Sequence, residues 1–327
     1  MKHLALKLFA AAALLTSATA CQKYSEQREG NTSTSGLTTV MCDNSFENII
    51  QQEIDVYEYC YPKASVIPYY IPENAAIDSL LQLKTRLAVI TRELTKDEMD
   101  FLKGKKRNPR CQRIAVDAIA LIVNPANPIE KITRKEIAEI LSGEVTDWND
   151  LEPNKTGKIS VLFDDSGSST VAYMRDSLLM GKKFGENVFA QGSNKAVFEG
   201  VKNHKGAIGV IGVSWVASDL KSPSLSIEER VNSSQNSDTT ALDFNQDIKV
   251  LKVQKNPESV EFFKPYQAYI YSGEYPLYRS IYMVCASVPG TTAHGFFSFV
   301  TGYQGQKIIQ MTGVLPALVH PRLVEVN

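Results

Sequence analysis

The chain has few histidines, no surplus of either charge, no paired-cysteine spacing and, past its first 20 residues, no apolar run long enough to cross a bilayer. Each absence excludes something. The four histidines are His3, His204, His294 and His320, and none sits beside a glycine-elbow serine or another base. That argues against a hydrolase or phosphatase built on Ser168 or Ser169. Lys+Arg 35 against Asp+Glu 36 gives a net charge of −1, and removing Lys2 and Lys7 makes it −3. No broad basic patch is available to release counterions from nucleic acid. The five cysteines (Cys21, Cys42, Cys60, Cys111, Cys285) form no CxxC or Cys/His pattern, so neither a metal site nor a cofactor is expected.

What is present begins with a targeting segment, residues 1–20. Lys2, His3 and Lys7 precede the apolar run Leu8 to Leu15, which has the length of a signal-peptide core. Ser17-Ala18-Thr19-Ala20-Cys21 resembles a bacterial lipobox, although Ala18 replaces the usual aliphatic residue. The resemblance implies that Cys21 carries lipid and holds the mature chain on a membrane of the cell envelope, at its periplasmic or extracellular face. Residues 21–36, polar and Ser/Thr-rich, read as a flexible tether. The exported location permits disulfides among the remaining cysteines, with pairing left open. The body of about 290 residues exceeds one ordinary core and suggests two lobes.

The chain is organised around Asp164-Asp165-Ser166-Gly167-Ser168-Ser169-Thr170. Ile159 to Phe163 before it reads as a buried strand; Val171, Met174, Leu178 and Leu179 after it share a helical face. Four hydroxyls thus meet at a helix N-terminus, where an anion is favoured, though a single hydroxyl capping the helix would also explain the pattern.

Leu37 to Met41 is a second candidate strand, running through Cys42-Asp43-Asn44-Ser45 into a helix bearing Phe46, Ile49, Ile50, Ile54 and Tyr57. Asn44-x-x-Glu47 has the form of a capping box. Strands follow at Lys63 to Tyr70 and Leu87 to Ile90, with a helix over Asn74 to Leu83 between them. Alternating strands and helices predict a parallel α/β sheet, whose ligands sit beyond the strands' carboxyl ends, where Ser45 and Thr91-Arg92 fall. Arg113 to Asn124 is an apolar strand interrupted by Asp117, which must be paired or stand at an opening. Ile248 to Val253 reads as one strand, and Ser280 to Cys285 as another.

In order and spacing these landmarks resemble the phosphate-binding members of the type 2 periplasmic binding proteins, the solute receptors of ABC importers. Ala115 to Asn127 is similar to that family's crossing strand, and Gly143 to Leu151 to its G-x-x-x-x-W-x-D-L segment. Lys205 to Gly209, Tyr275-Pro276-Leu277 and Gly305 to Ile309 follow in the same order. The resemblance implies a two-lobed α/β fold with two crossing hinge strands, near Ala118–Asn124 and Arg279–Val284. Lobe 1 would be 37–118 plus 284–327, and lobe 2 would be 119–283. It implies a monomeric binding protein, not an enzyme, that holds phosphate or a similar oxyanion for an ABC transporter permease. By the same resemblance the ligand is bound by Asn44, Ser45 and Phe46, by Thr91 and Arg92, and by Ser166, Gly167, Ser168, Ser169 and Thr170. Arg92 is then the cation aimed at the ligand, since Leu162, Phe163 and Asp164 stand where some relatives carry an arginine. Asp43 replaces a usual glycine. The second reading is a receptor-fold surface lipoprotein that has lost phosphate binding and takes another ligand or a protein partner.

Overall fold

The computed structural model describes residues 30–153, 156–217, 226–229, 232 and 243–318. The leader, Cys21 and most of the polar loop 217–242 lie outside the described residues. The chain enters β1 (Ser35–Asp43), passes a 3-10 turn (Asn44–Phe46) into α1 (Glu47–Cys60) and returns as β2 (Lys63–Ile71). α2 (Glu73–Leu81), β3 (Leu87–Ile90), α3 (Lys96–Gly104) and β4 (Arg110–Val123) follow. Next come β5 (Lys131–Ile132), α4 (Arg134–Ser142), β6 (Ser160–Phe163), α5 (Ser169–Leu178), β7 (Val188–Ala190), α6 (Asn194–Asn203) and β8 (Ala207–Gly212). β9 (Lys249–Val250), β10 (Lys252–Gln254), β11 (Phe262–Phe263) and α7 (Gln267–Tyr271) lead to β12 (Tyr278–Cys285). α8 (Thr292–Thr301), α9 (Tyr303–Met311) and β13 (Leu315–Pro316) close the described chain.

The main sheet runs β2-β1-β3-β12-β4-β8-β6-β7. β1 is parallel to β2 and β3, and β6 is parallel to β7 and β8, as strand–helix–strand crossovers require. Between these parallel groups lies the antiparallel centre, where β12 pairs with β3 and β4, and β4 pairs with β8. β4 changes partner along its length: Arg110 to Ala118 lie beside β12, and Ile119 to Val123 beside β8. One strand therefore carries the chain from the first half to the second. Its residues from Ala118 to Val123 are fully buried, so the run is apolar without alternation. β12 lies wholly in the first half, and the return crossing falls just before it, where Ile119 N–H donates to the Leu277 carbonyl at 2.9 Å.

A large apolar cluster runs through both halves, and a smaller one, with Ile77, Leu80, Ile90 and Leu102, packs under α2 and α3. The two-lobed α/β architecture agrees with expectation, and several details do not. The stretch 248–253 is two strands: β9 joins β4, β10 joins β5, and Leu251 between them is fully buried. The tether does not extend to residue 36, because Ser35 and Gly36 pair with β2 and Asn31 Oδ1 accepts from Thr292 N–H at 2.9 Å. The capping box at Asn44-x-x-Glu47 is absent; Asp43 accepts from Ser45 N–H instead, and Phe46 at the start of α1 caps nothing. All four described cysteines are free thiols.

Candidate solute-binding site

β1 and β6 end on the same side of the sheet, and the polar turns that follow them meet at the seam between the halves. From β1 come Asp43, Asn44, Ser45 and Phe46; from β6 come Asp164 and the N-terminus of α5. Ser168 caps α5 by accepting from Val171 N–H at 3.3 Å. Ser45 Oγ donates to Asp164 Oδ2 at 3.2 Å and lies 3.1 Å from Thr170 Oγ1. Ser168 Oγ donates to Asp164 Oδ1 at 2.6 Å, and Asn194, first residue of α6, donates to Asp164 Oδ2 at 3.4 Å. Ser169 gives both its N–H (3.2 Å) and its hydroxyl (2.9 Å) to Asp43.

The cation at this seam is Arg279, at the start of β12. It lies directly opposite Asp117 on β4, and its Nε and Nη2 donate to Asp117 Oδ2 at 3.3 and 3.2 Å. Nη1 donates to Ser169 Oγ at 2.6 Å, and the guanidinium rests 4.8 Å from the centroid of the fully buried Phe46 ring. The side chains of Arg279 and Asp117 are 3% and 1% exposed, so this pair is screened little by solvent. Burial pushes the Asp117 carboxyl up to about 6, against the pull of Arg279. Burial also raises Asp164, opposed by the Ser168 hydroxyl and then by Arg279.

Ser45, Phe46, Ser168, Ser169 and Thr170 are thus brought together and buried. Asn44 lies next to them, its buried Oδ1 without a hydrogen-bond partner. Ser166 and Gly167 are exposed on the rim; a Cβ at Gly167 would lie 3.3 Å from Pro72 Cβ, so the turn abuts the start of α2. Thr91 turns to Glu73, whose Oε1 accepts from its N–H and, at 2.6 Å, from its hydroxyl. Arg92 corrects the expectation most. Its guanidinium is clamped by both oxygens of Glu98 at 2.8 Å and its side chain is 43% exposed. Glu98 belongs to the α3 capping box headed by Thr95, and this partner takes the charge that was expected to face a ligand.

The sequence reading missed Arg279, yet a signal existed. Asp117 interrupts one apolar strand and Arg279 opens the next, and opposite charges inside two apolar runs meet when the strands are neighbours. Among the described residues no group of three or more His, Cys, Asp or Glu side chains could hold a metal ion. The arrangement suits binding: one guanidinium, one helix N-terminus and four hydroxyls converge where two halves of the fold touch.

The family model of the PBP superfamily domain matches residues 27–303. The chain belongs to that superfamily. As a PBP-superfamily receptor it is similar to the phosphate-binding protein PstS of Pseudomonas aeruginosa, at 22% identity over 300 residues, covering 86% of this chain and 83% of that one. It is 26% identical over 251 residues to the phosphate-binding protein PstS of Borreliella burgdorferi, covering 74% of this chain and 76% of that one. Among solved structures it resembles a substrate-binding protein from Clostridium perfringens determined with bound phosphate, with TM-score 0.66, 19% identity, and 86% and 100% of the two chains covered. A phosphate transport receptor of Vibrio cholerae matches with TM-score 0.60 at 19% identity, over 85% of this chain and 99% of that one. These structures establish the shared two-lobed fold of the superfamily.

Proposed function

We propose that the protein is an extracytoplasmic solute-binding lipoprotein that captures an oxyanion, inorganic phosphate, between its lobes and delivers it to the permease of an ABC importer. Its role is binding without turnover. The observation that carries the reading is the convergence of Arg279, the N-terminus of α5 and the hydroxyls of Ser45, Ser168, Ser169 and Thr170 at one buried seam. Charge-assisted hydrogen bonds of this kind contribute roughly 1.5–3 kcal/mol each. The names of the relatives supply the ligand. On this reading the two-lobed chain acts as a monomer tethered through lipid on Cys21 at the periplasmic or extracellular face.

Calorimetric titration of the purified protein, stripped of solute by partial unfolding, tests it with phosphate and then sulfate at fixed salt. One-to-one phosphate binding is expected, lost in Arg279→Met and in Ser169→Ala and kept in Arg92→Ala. A specific observation also favours a second reading, a receptor fold that has given up phosphate for another ligand or a protein partner. Asp43 and Asp164 already accept the hydrogen bonds of Ser45, Ser168 and Ser169. Silence toward every oxyanion selects that reading.

A further inference from the structure

Asp43 holds an unusual place for a turn carboxylate. Its Oδ1 accepts from Ser45 N–H at 2.9 Å and from Ser169 Oγ at 2.9 Å, and its Oδ2 accepts from Ser169 N–H at 3.2 Å. Three donors from two halves of the molecule thus converge on one buried carboxylate. α5 does not need Asp43 as a cap, since Ser168 performs that task locally. Asp43 comes from 126 residues away in sequence, so its bonds to Ser169 join the halves, not the turn. Ser45 Oγ to Asp164 is a second cross-link, spanning 119 residues. Nearby, Trp215 Nε1 donates to the Ser45 carbonyl at 3.1 Å, and Asn48 Nδ2 to the Ser214 carbonyl at 2.6 Å.

A carboxylate that accepts a helix N-terminal N–H, a serine hydroxyl and a second backbone N–H has the chemistry of a bound oxyanion. We propose that Asp43 is an internal competitor for the solute's place: it occupies the Ser169 donors, latches the lobes together, and must give way before an oxyanion binds. The competition rests on the oxyanion reading above; the latch does not. Arg279 stays in position throughout, because Asp117 on the neighbouring strand holds it and its contact with Ser169 is a third interaction. Displacing Asp43 exposes its charge to Asp164 and the incoming anion unless the lobes part. Entry and opening are therefore one event, and Asp43 sets how tightly the site holds its solute.

Asp43→Ser and Asp43→Asn test this in the full chain. Serine keeps a short acceptor for Ser45 N–H, and asparagine keeps the shape, so the two substitutions fail to fold for different reasons if they fail. Small-angle scattering and Trp215 emission report lobe separation, with Trp215→Phe isolating the signal from Trp148. In the wild type, the ligand-free radius of gyration is expected to equal that with saturating phosphate. In the Asp43 variants, the ligand-free protein opens, phosphate closes it, and affinity rises tenfold or more. An open ligand-free wild type overturns the latch without any variant. Unchanged or weaker phosphate binding in both variants overturns the competition, and weaker binding makes Asp43 a direct binding group. Opening in the variants with no response to any oxyanion keeps the latch and removes the oxyanion reading.

Discussion

Arg279 and Asp117 form a charged pair in the middle of an otherwise apolar crossing, and the two side chains do not tolerate separation. Removing one partner of a buried pair leaves the other charge desolvated, which costs about 3–5 kcal/mol. Asp117→Ala should therefore lower unfolding free energy by about that amount in urea denaturation. Arg92→Ala should change it by under about 1 kcal/mol, since its bridge to Glu98 is solvent-screened. The raised carboxyl of Asp117 fixes a pH dependence. Folded Asp117 titrates at about 6 and unfolded near its ordinary 3.8, so between these values the folded state binds the extra proton. The stability it contributes is present below the lower value and is lost as pH rises through about 6. Denaturation of wild type and Asp117→Asn across that window should differ in slope by this one proton. At the seam, protonation of Asp117 as pH falls through about 6 removes negative charge beside Arg279. Binding of sulfate, whose own charge is constant over this range, should strengthen roughly tenfold from pH 7 to 5, about 1.4 kcal/mol.

At the scale of elements, caps and turns place the site. α4 starts at a capping box, where Thr133 accepts from Glu136 N–H at 3.1 Å and Glu136 returns a bond to Thr133 N–H. It stops at Gly143, whose φ of +82° lies in the left-handed region. Gly143→Ala should lower the melting temperature, costing about 1 kcal/mol for the backbone alone, with Gly185 Cα 3.1 Å from the new methyl adding to it. The Trp148 of the same segment is buried and donates to the Gly206 carbonyl at 3.0 Å, so the motif that signals the family is pinned to the residue just before β8. These elements were legible in the sequence because their causes are local: an apolar period, a cap three residues upstream, a glycine after the last turn. α3 was not, since Met99, Phe101 and Leu102 make too short an apolar pattern among Lys96, Asp97, Glu98 and Asp100. The single strand expected at 248–253 was misread for a different reason, because a buried Leu251 looks the same whether the strand continues or changes sheets.

In the whole molecule, the halves are joined by a polar seam. Trp215 and Asn48 hydrogen bond at the same seam as Asp43 and Ser45, so opening breaks several polar bonds together and a two-state response is expected. Ser169→Ala should loosen this seam as well as abolish solute binding, seen as a larger radius of gyration in the ligand-free protein. The sequence by itself determined the alternating α/β order, the hydroxyl-rich turn after β6 and the hydroxyl at the end of β1, because each follows from patterns within a few residues. Only the tertiary structure decided which cation lies at the seam. Arg92 sits just past the carboxyl end of β3 but meets Glu98 six residues on, whereas Arg279 becomes the seam's cation through its register opposite Asp117, 162 residues away. Strand register between distant segments is a property of the assembled sheet, set by the joint burial of both apolar runs, and no local pattern encodes it.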